Sequence, residues 1–236
     1  MPDVLRHDQT SNRILSRLSP ADFGLLERSL TGVDLPLRME LEAPNKPIEY
    51  AYFIERGFAS VVANGSGDRV LEVGLIGREG MTGVALVMGT DRSPNSTFIQ
   101  YAGSGQRIAS ADLNNTLEES ATLRRSLLNF GHTFLVQTAY TAVANGRNKV
   151  ETRLARWLLM AHDRTDGDEL TLTHEFLAIM LGVRRPGVTV ALNFLEKQGL
   201  VRAQRGAISI IDRKGLEEAA NDAYGAPEAE LRRLFD

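Results

Sequence analysis

The 236 residues contain no cysteine. Disulfides, cysteine-held zinc, iron–sulfur clusters and thiol chemistry are excluded together by that one absence. Long apolar runs are lacking too. None approaches the roughly 18 residues that a membrane-spanning helix needs, and Met1 to Asn12 has no apolar stretch of the signal-peptide kind. The resulting expectation is a cytoplasmic protein with no membrane partner. Histidine is scarce: His7, His132, His162 and His174 are all there are, and their spacing suits neither haem nor a metal. Enzymatic signatures are missing as well. There is no glycine-rich phosphate loop opening a helix, no Gly-x-Ser-x-Gly elbow and no His-Glu-x-x-His. Gly65-Ser66-Gly67-Asp68 reads as a hairpin turn, and Glu118-Glu119 as a solvated helix start suited to the helix dipole. No catalytic residue is assigned, and the chain does not read as an enzyme.

What is present is the balance of a globular chain, 43% hydrophobic and 24% charged, enough for a real core in one large domain or two ordinary ones. The net charge of −3 argues at first against a polyanionic partner. A local patch is the better test. Between Arg184 and Lys214 stand seven cations (Arg184, Arg185, Lys197, Arg202, Arg205, Arg213, Lys214) against Glu196 and Asp212, a net +5.

Three textures follow one another along the chain. After a polar arm, Ile14, Leu15, Leu18, Phe23, Leu25, Leu26 and Leu30 recur at helical spacing, with Ser19-Pro20 marking a helix start. From Val33 short β-rich runs appear: 51–54, 58–62, 69–75, 97–101 and 106–109. Turn signals at Glu55-Arg56-Gly57, 64–68, Gly77-Arg78-Glu79-Gly80 and Gly103-Ser104-Gly105 separate them, the pattern of a small β-barrel or jelly roll. From Asp112 the chain turns helical. Over 123–145, Leu127, Leu128, Phe134, Leu135, Val136, Ala139 and Val143 cover more than one face, so this helix needs two partners, the barrel and a second subunit. Gly146-Arg147-Asn148 interrupts before a helix carrying Leu154, Trp157 and Leu158.

The last module carries the chemistry. Thr173 is placed to cap a helix bearing Phe176, Leu177, Met180 and Leu181. Gly182 suits a tight interhelical turn, and Pro186 suits the first turn of the next helix. That helix buries Val188, Ala191, Leu192 and Leu195 and leaves Arg185, Thr189 and Asn193 at i, i+4, i+8. Leu200–Arg202 and Ala207–Ile210 flank a hairpin wing. An α-helix fits the major groove, and arginine can bond guanine O6 and N7 together. Arg184 and Arg185 stand at the end that enters the groove, while Thr173, His174 and Arg205 can reach phosphates.

With Thr173 through Gly206 as its most specific match, the chain resembles the Crp/Fnr family of bacterial transcription regulators. The order of helix, small barrel, long helix and winged helix-turn-helix follows that family over nearly the whole length. The resemblance implies an α+β fold with a cyclic-nucleotide-binding-like sensor barrel over 1–117, a dimerisation helix over 118–146 and a winged helix-turn-helix over 147–220. It implies a homodimer on a palindromic duplex operator, with RNA polymerase as a further candidate partner. The reading head departs from the pattern. Many relatives carry Ser-Arg-Glu before a Thr-Val pair and a second arginine one turn on. Arg185 keeps the family's arginine, but Pro186 replaces the glutamate and the second arginine is gone.

The effector cassette is diverged too. Arg92-Ser93 matches the family's phosphate-gripping pair, and arginine suits a phosphate. Gly80-Met81-Thr82-Gly83 replaces the Gly-Glu pair, leaving no evident carboxylate for a ribose hydroxyl. Thr138 matches one of the two base-contacting residues, but Ala139 follows it. Gly80, Arg92, Ser93 and Thr138 are the candidate effector residues, with Arg92 equally suited to pairing with Asp91. No cofactor is certain, and the departures weigh against cyclic nucleotide. The leading reading is a sequence-specific DNA-binding regulator. The alternative is a small-ligand signalling module, for cyclic nucleotide or another effector, with no direct DNA readout.

Overall fold

The computed structural model describes residues 7–65 and 70–235. Its contacts form two compact units that do not follow chain order. One holds the described parts of Met1–Val61, Ile76–Leu135 and Leu231–Asp236, the other those of Val62–Leu75 and Val136–Glu230. The expected turn at 64–68 falls partly outside the described residues, as does Arg69.

In the first unit a 3-10 turn, Leu15–Arg17, leads into α1 (Pro20–Glu27). Ser19 caps α1, its hydroxyl accepting from the Asp22 N–H at 3.1 Å, with Pro20 in the first turn where no N–H is needed. Asn12 anchors the arm. Its fully buried amide donates to the Ile54 and Gly80 carbonyls, both at 2.8 Å, while its oxygen accepts from Ile14 and Leu15.

The strands are β1 (Thr31–Leu35), β2 (Glu40–Glu42), β3 (Tyr50–Asn64), β4 (Val70–Ile76) and β5 (Ser96–Ala109). Two of the expected turns are not turns. Glu55-Arg56-Gly57 lies within β3, and Gly103-Ser104-Gly105 within β5. These glycines mark close approach between two long strands. A Cβ on Gly103 would run into the Arg56 carbonyl, and one on Gly105 into that of Phe53. Gly57, at φ +75°, faces the carbonyls of Tyr101 and Ala102. Gly77–Gly80, by contrast, is a turn, closed by the Gly80 N–H on the Gly77 carbonyl at 3.0 Å.

This fusion of short runs into long strands gives the jelly-roll alternative of the expectation rather than a closed barrel. The described strands form an open sheet in the order β1-β5-β3-β4, with β2 also paired to β5. β1 runs antiparallel to β5, from Thr31 opposite Arg107 to Leu35 opposite Gly103.

α2 (Val84–Val87) lies between β4 and β5, and α3 (Ser110–Glu119) and α4 (Ala121–Arg147) follow β5. α4 is 27 residues long, about 40 Å at 1.5 Å per residue. Gly131 and Gly146 do not break it. One face is buried through Leu123, Leu127 and Phe130 and, further along, Gln137, Thr141 and Ala144. Another leaves Leu128, Leu135, Tyr140 and Val143 exposed, Leu135 at 62%.

The second unit comprises the far half of α4, residues 62–65 and 70–75, α5 (Val150–His162), β6 (Glu169–Leu170), α6 (His174–Leu181), α7 (Arg185–Lys197), β7 (Val201–Gln204), β8 (Ala207–Ile210), α8 (Arg213–Ala220) and the start of α9 (Ala226–Phe235). α5 is its centre, buried through Leu154, Trp157, Leu158 and Ala161 and packed on α6, α7 and α8. Polar groups fix β4 in this core. The Trp157 indole donates to Glu72 at 2.5 Å. The Gln137 amide meets both backbone groups of Leu75, accepting from its N–H at 2.7 Å and donating to its carbonyl at 3.2 Å. Arg156, 5% exposed, donates to the Ala223 carbonyl at 2.9 Å and the Thr141 hydroxyl at 3.0 Å. Burial pushes its guanidinium below the ordinary value, against the opposing pull of Glu228 and Glu72.

Candidate nucleic-acid interface

The geometry of α6 and α7 follows from a few local choices. Thr173 caps α6, its hydroxyl accepting from the Phe176 N–H at 3.2 Å. Gly182 ends the helix at φ 60°, ψ 36°, and a Cβ there would lie 2.8 Å from the Leu71 side chain. Both facts call for glycine. The guanidinium of Arg153 donates to the Leu181 carbonyl, placing a cation on the C-terminus of α6. Arg153 was missed on the sequence, where it reads as one more surface arginine of α5.

α7 begins at Arg185, with Pro186 in its first turn and Arg184 as an N-cap that makes no side-chain capping bond. Val188, Ala191, Leu192 and Leu195 are buried at 1% exposure or less, while Arg184 and Arg185 project into solvent. Two cations at a helix N-terminus oppose the macrodipole by up to about 1 kcal/mol each. Such a local inconsistency, with no ion-pair partner for either charge among the described residues, is characteristic of a surface kept for binding.

The outward face of α7 is not the one its spacing suggested. Thr189 is half-buried. Its hydroxyl donates to the Arg185 carbonyl at 3.3 Å and meets His174 Nδ1 at 3.1 Å, so it turns toward the start of α6 and ties the two helices together. The residues most nearly opposite the core are Pro186, Val190, Asn193 and Lys197, all exposed. Val190 is 62% exposed and Phe194, beside it, 46%. The sequence reading missed both, because an apolar residue on an amphipathic helix is counted toward the core by default.

The wing is larger than a hairpin. β7 and β8 pair antiparallel from Val201 opposite Ile210 to Gln204 opposite Ala207, and β6 adds a third strand on β8. Only Arg205 and Gly206 form the tip, Gly206 at φ 80°. Arg205 and Arg202 are exposed. Arg213 is otherwise engaged. It donates to Asp163 at 2.7 Å, Glu217 at 3.0 Å, the Tyr224 hydroxyl at 2.8 Å and His162 Nδ1 at 2.7 Å. It therefore leaves the basic patch to Arg184, Arg185, Lys197, Arg202, Arg205 and Lys214.

Three of the effector candidates, Gly80, Arg92 and Ser93, lie in the first unit and have structural occupations, whereas Thr138 belongs to the second. A Cβ on Gly80 would collide with the Phe130 ring, so this glycine is a packing site. Arg92 forks onto Asp91, Nε to Oδ1 at 2.8 Å and Nη2 to Oδ2 at 2.9 Å, with both side chains more than half exposed. The Ser93 carbonyl accepts from the Asn45 N–H at 2.7 Å and its hydroxyl from the Asn95 N–H at 3.1 Å. Thr138 lies half-buried on α4. A carboxylate does stand by the Gly80–Gly83 turn, and it comes from β2. Glu42, 8% exposed, accepts from the Gly83 N–H at 2.7 Å. Burial raises its carboxyl above the ordinary range, opposed by the Gly83 amide and the Thr97 hydroxyl. Nothing in the local sequence signals it, about forty residues away. An open depression of about 530 Å³ in this unit is lined by Leu86, Met88, Asp91, Asn114, Leu117 and Arg124 among others, and not by Gly80, Arg92 or Ser93. Among the described residues no cluster of three or more His, Asp or Glu is placed to hold a metal ion, and no helix is long and apolar enough to cross a membrane.

Comparison with known proteins agrees with this geometry. Residues 152–219 match the model of the Crp-like helix-turn-helix domain. No curated protein matches the chain. Solved structures do, at low identity. A Crp/Fnr-family transcriptional regulator from Eubacterium rectale is 18% identical, with 89% of this chain and 98% of that one aligned and a TM-score of 0.70. FixK2 from Bradyrhizobium japonicum is 19% identical over 84% and 99% of the two chains, with a TM-score of 0.69. The regulator CLP from Xanthomonas campestris is 19% identical over 81% and 99%, with a TM-score of 0.64. At such identities the likeness shows the fold, and the helix-turn-helix match shows what the fold carries. The chain therefore carries a Crp-like helix-turn-helix domain over residues 152–219, on a fold like that of a solved Crp/Fnr-family regulator.

Proposed function

We propose that the protein acts in the cytoplasm as a homodimer that reads a two-fold symmetric duplex, as a regulator rather than an enzyme. The observation that carries this reading is the N-terminus of α7, where Arg184 and Arg185 stand exposed and unopposed beside a basic wing. Arg185 is assigned to a base edge, with Asn193 further along the helix. Thr173 and His174 at the start of α6, and Arg205 in the wing, are assigned to phosphates. His174 and Thr189 brace the two helices at the same time. RNA polymerase is the further partner such a regulator would meet at a promoter.

Dimerisation is assigned to α4. Leu128, His132, Leu135, Ala139, Ala142 and Gly146 are spaced 4, 3, 4, 3, 4 and are all exposed. That is a 3.5-residue period, the seam of a two-stranded coiled coil. Its members shrink toward the C-terminal end, which lets two backbones approach there. The functional divisions are a sensor over 1–117, the dimer helix over 118–146 and the reader over 147–220. The effector role of Gly80, Arg92, Ser93 and Thr138 is not part of the proposal through cyclic nucleotide, since Arg92 is closed on Asp91 and Gly80 lies under Phe130.

Selection of duplexes from a random pool by the purified protein should return inverted repeats with half-sites one or more helical turns apart. Arg185→Ala should weaken the selected site by about 1–3 kcal/mol and relax one base pair in each half-site. Unchanged affinity and unchanged base preference in that variant would sink the assignment.

A further inference from the structure

The outward face of α7 is partly apolar, and the position of that apolar patch points to a base chemistry. With about 100° of rotation per residue, Pro186, Val190, Asn193 and Lys197 form one stripe directly away from the buried Val188, Ala191, Leu192 and Leu195. Val190 is 62% exposed and Phe194, on its flank, 46%. Elsewhere this helix places its apolar residues in the core, as an amphipathic surface helix does.

We propose that Val190, flanked by Phe194, reads the C5-methyl group of a thymine in the major groove, making it a specificity-determining residue. This rests on the proposed reading of duplex DNA by α7. The surroundings fit one occupant. Arg184 and Arg185 lie one to two turns before Val190 along the helix, Lys197 lies about two turns after it, and Arg202 and Arg205 belong to the wing of the same unit. An apolar spot inside a basic field complements a polyanion that carries methyl groups in its groove, and thymine alone among the four bases supplies one there. A protein partner docking by apolar contact would instead be met by five surrounding cations to desolvate. Arg185 toward guanine and Val190 toward thymine then divide the readout between hydrogen bonding and methyl contact.

The test uses the duplex that the full-length protein selects from a random pool. Each thymine of one half-site is replaced in turn by deoxyuridine, which removes the methyl and leaves every hydrogen-bonding group. For the wild type, one replacement should weaken binding by about fourfold, the value of one buried methyl. Val190→Ala should bind the thymine duplex less well and lose that difference, while Val190→Thr, which keeps a methyl, should retain much of it. Thermal melting of the variants shows that the exposed substitution leaves the fold intact. If no thymine replacement changes wild-type affinity, or if the methyl effect survives in Val190→Ala, the assignment is overturned while DNA binding stands. Failure to select any duplex would overturn both readings together.

Discussion

Leu135→Glu is expected to turn the protein into a monomer at micromolar concentration and to remove most of its affinity for a symmetric duplex. Leu135 is the most exposed large apolar residue of α4 and lies mid-seam in the 3.5-residue pattern. In a two-stranded seam the same position of each copy comes together, so the substitution buries two carboxylates near one another. Each costs several kcal/mol to desolvate, and like charges add to that. Two linked readers gain about 100- to 10,000-fold over one through effective concentration, and that gain goes with the dimer. Because Leu135 is solvent-facing in the single chain, the monomer should keep its helix content and melting cooperativity. Sedimentation of wild type and variant, with titration of the selected duplex, decides the matter. A wild type that is already monomeric, or a variant that stays dimeric, removes α4 as the dimer helix.

Arg156→Ala is expected to be the most destabilising of the simple truncations in the second unit. The guanidinium is buried, bonded to Ala223 and Thr141, and faces the carboxylates of Glu72 and Glu228. Removing it strands those acceptors and leaves buried negative charge uncompensated, at a cost of about 3–5 kcal/mol. For a chain of this size that lowers the melting midpoint by roughly 6–20 °C. Arg156→Lys keeps the charge but not the fork that reaches two acceptors at once, so it should fall between. A loss under about 1 kcal/mol in the alanine variant, read by chemical denaturation, would mean that water or a shifted neighbour takes over these contacts.

Much of this was legible in the residues. Helix starts at Ser19 and Thr173, the turn at Gly182, the core face of α7 and the break after Arg147 each depend on neighbours within a few positions, where cap and turn chemistry operate. The sheet was less legible. Gly57, Gly103 and Gly105 look the same whether a strand reverses there or another backbone passes close by. Only the pairing of β3 with β5, some 45 residues apart, decides. The same limit applies to Glu42, whose role depends on the distant Gly83, and to Arg153, whose role depends on Leu181. On α7 the spacing found the helix and its buried side but set the outward direction slightly off. Thr189 is drawn aside by His174, and Val190 and Phe194 take the open positions.

β4 gives the helix-turn-helix module a foundation that its own stretch of chain lacks. Glu72 holds the indole of Trp157, Leu71 sits against Gly182 at the turn between the two helices, and Gln137 grips Leu75. A transplant of residues 147–220 onto another sensor would arrive with an indole deprived of its acceptor and a bare interhelical turn. Transfer of this module therefore has to carry β4 with it, and the transferable unit of this chain is discontinuous.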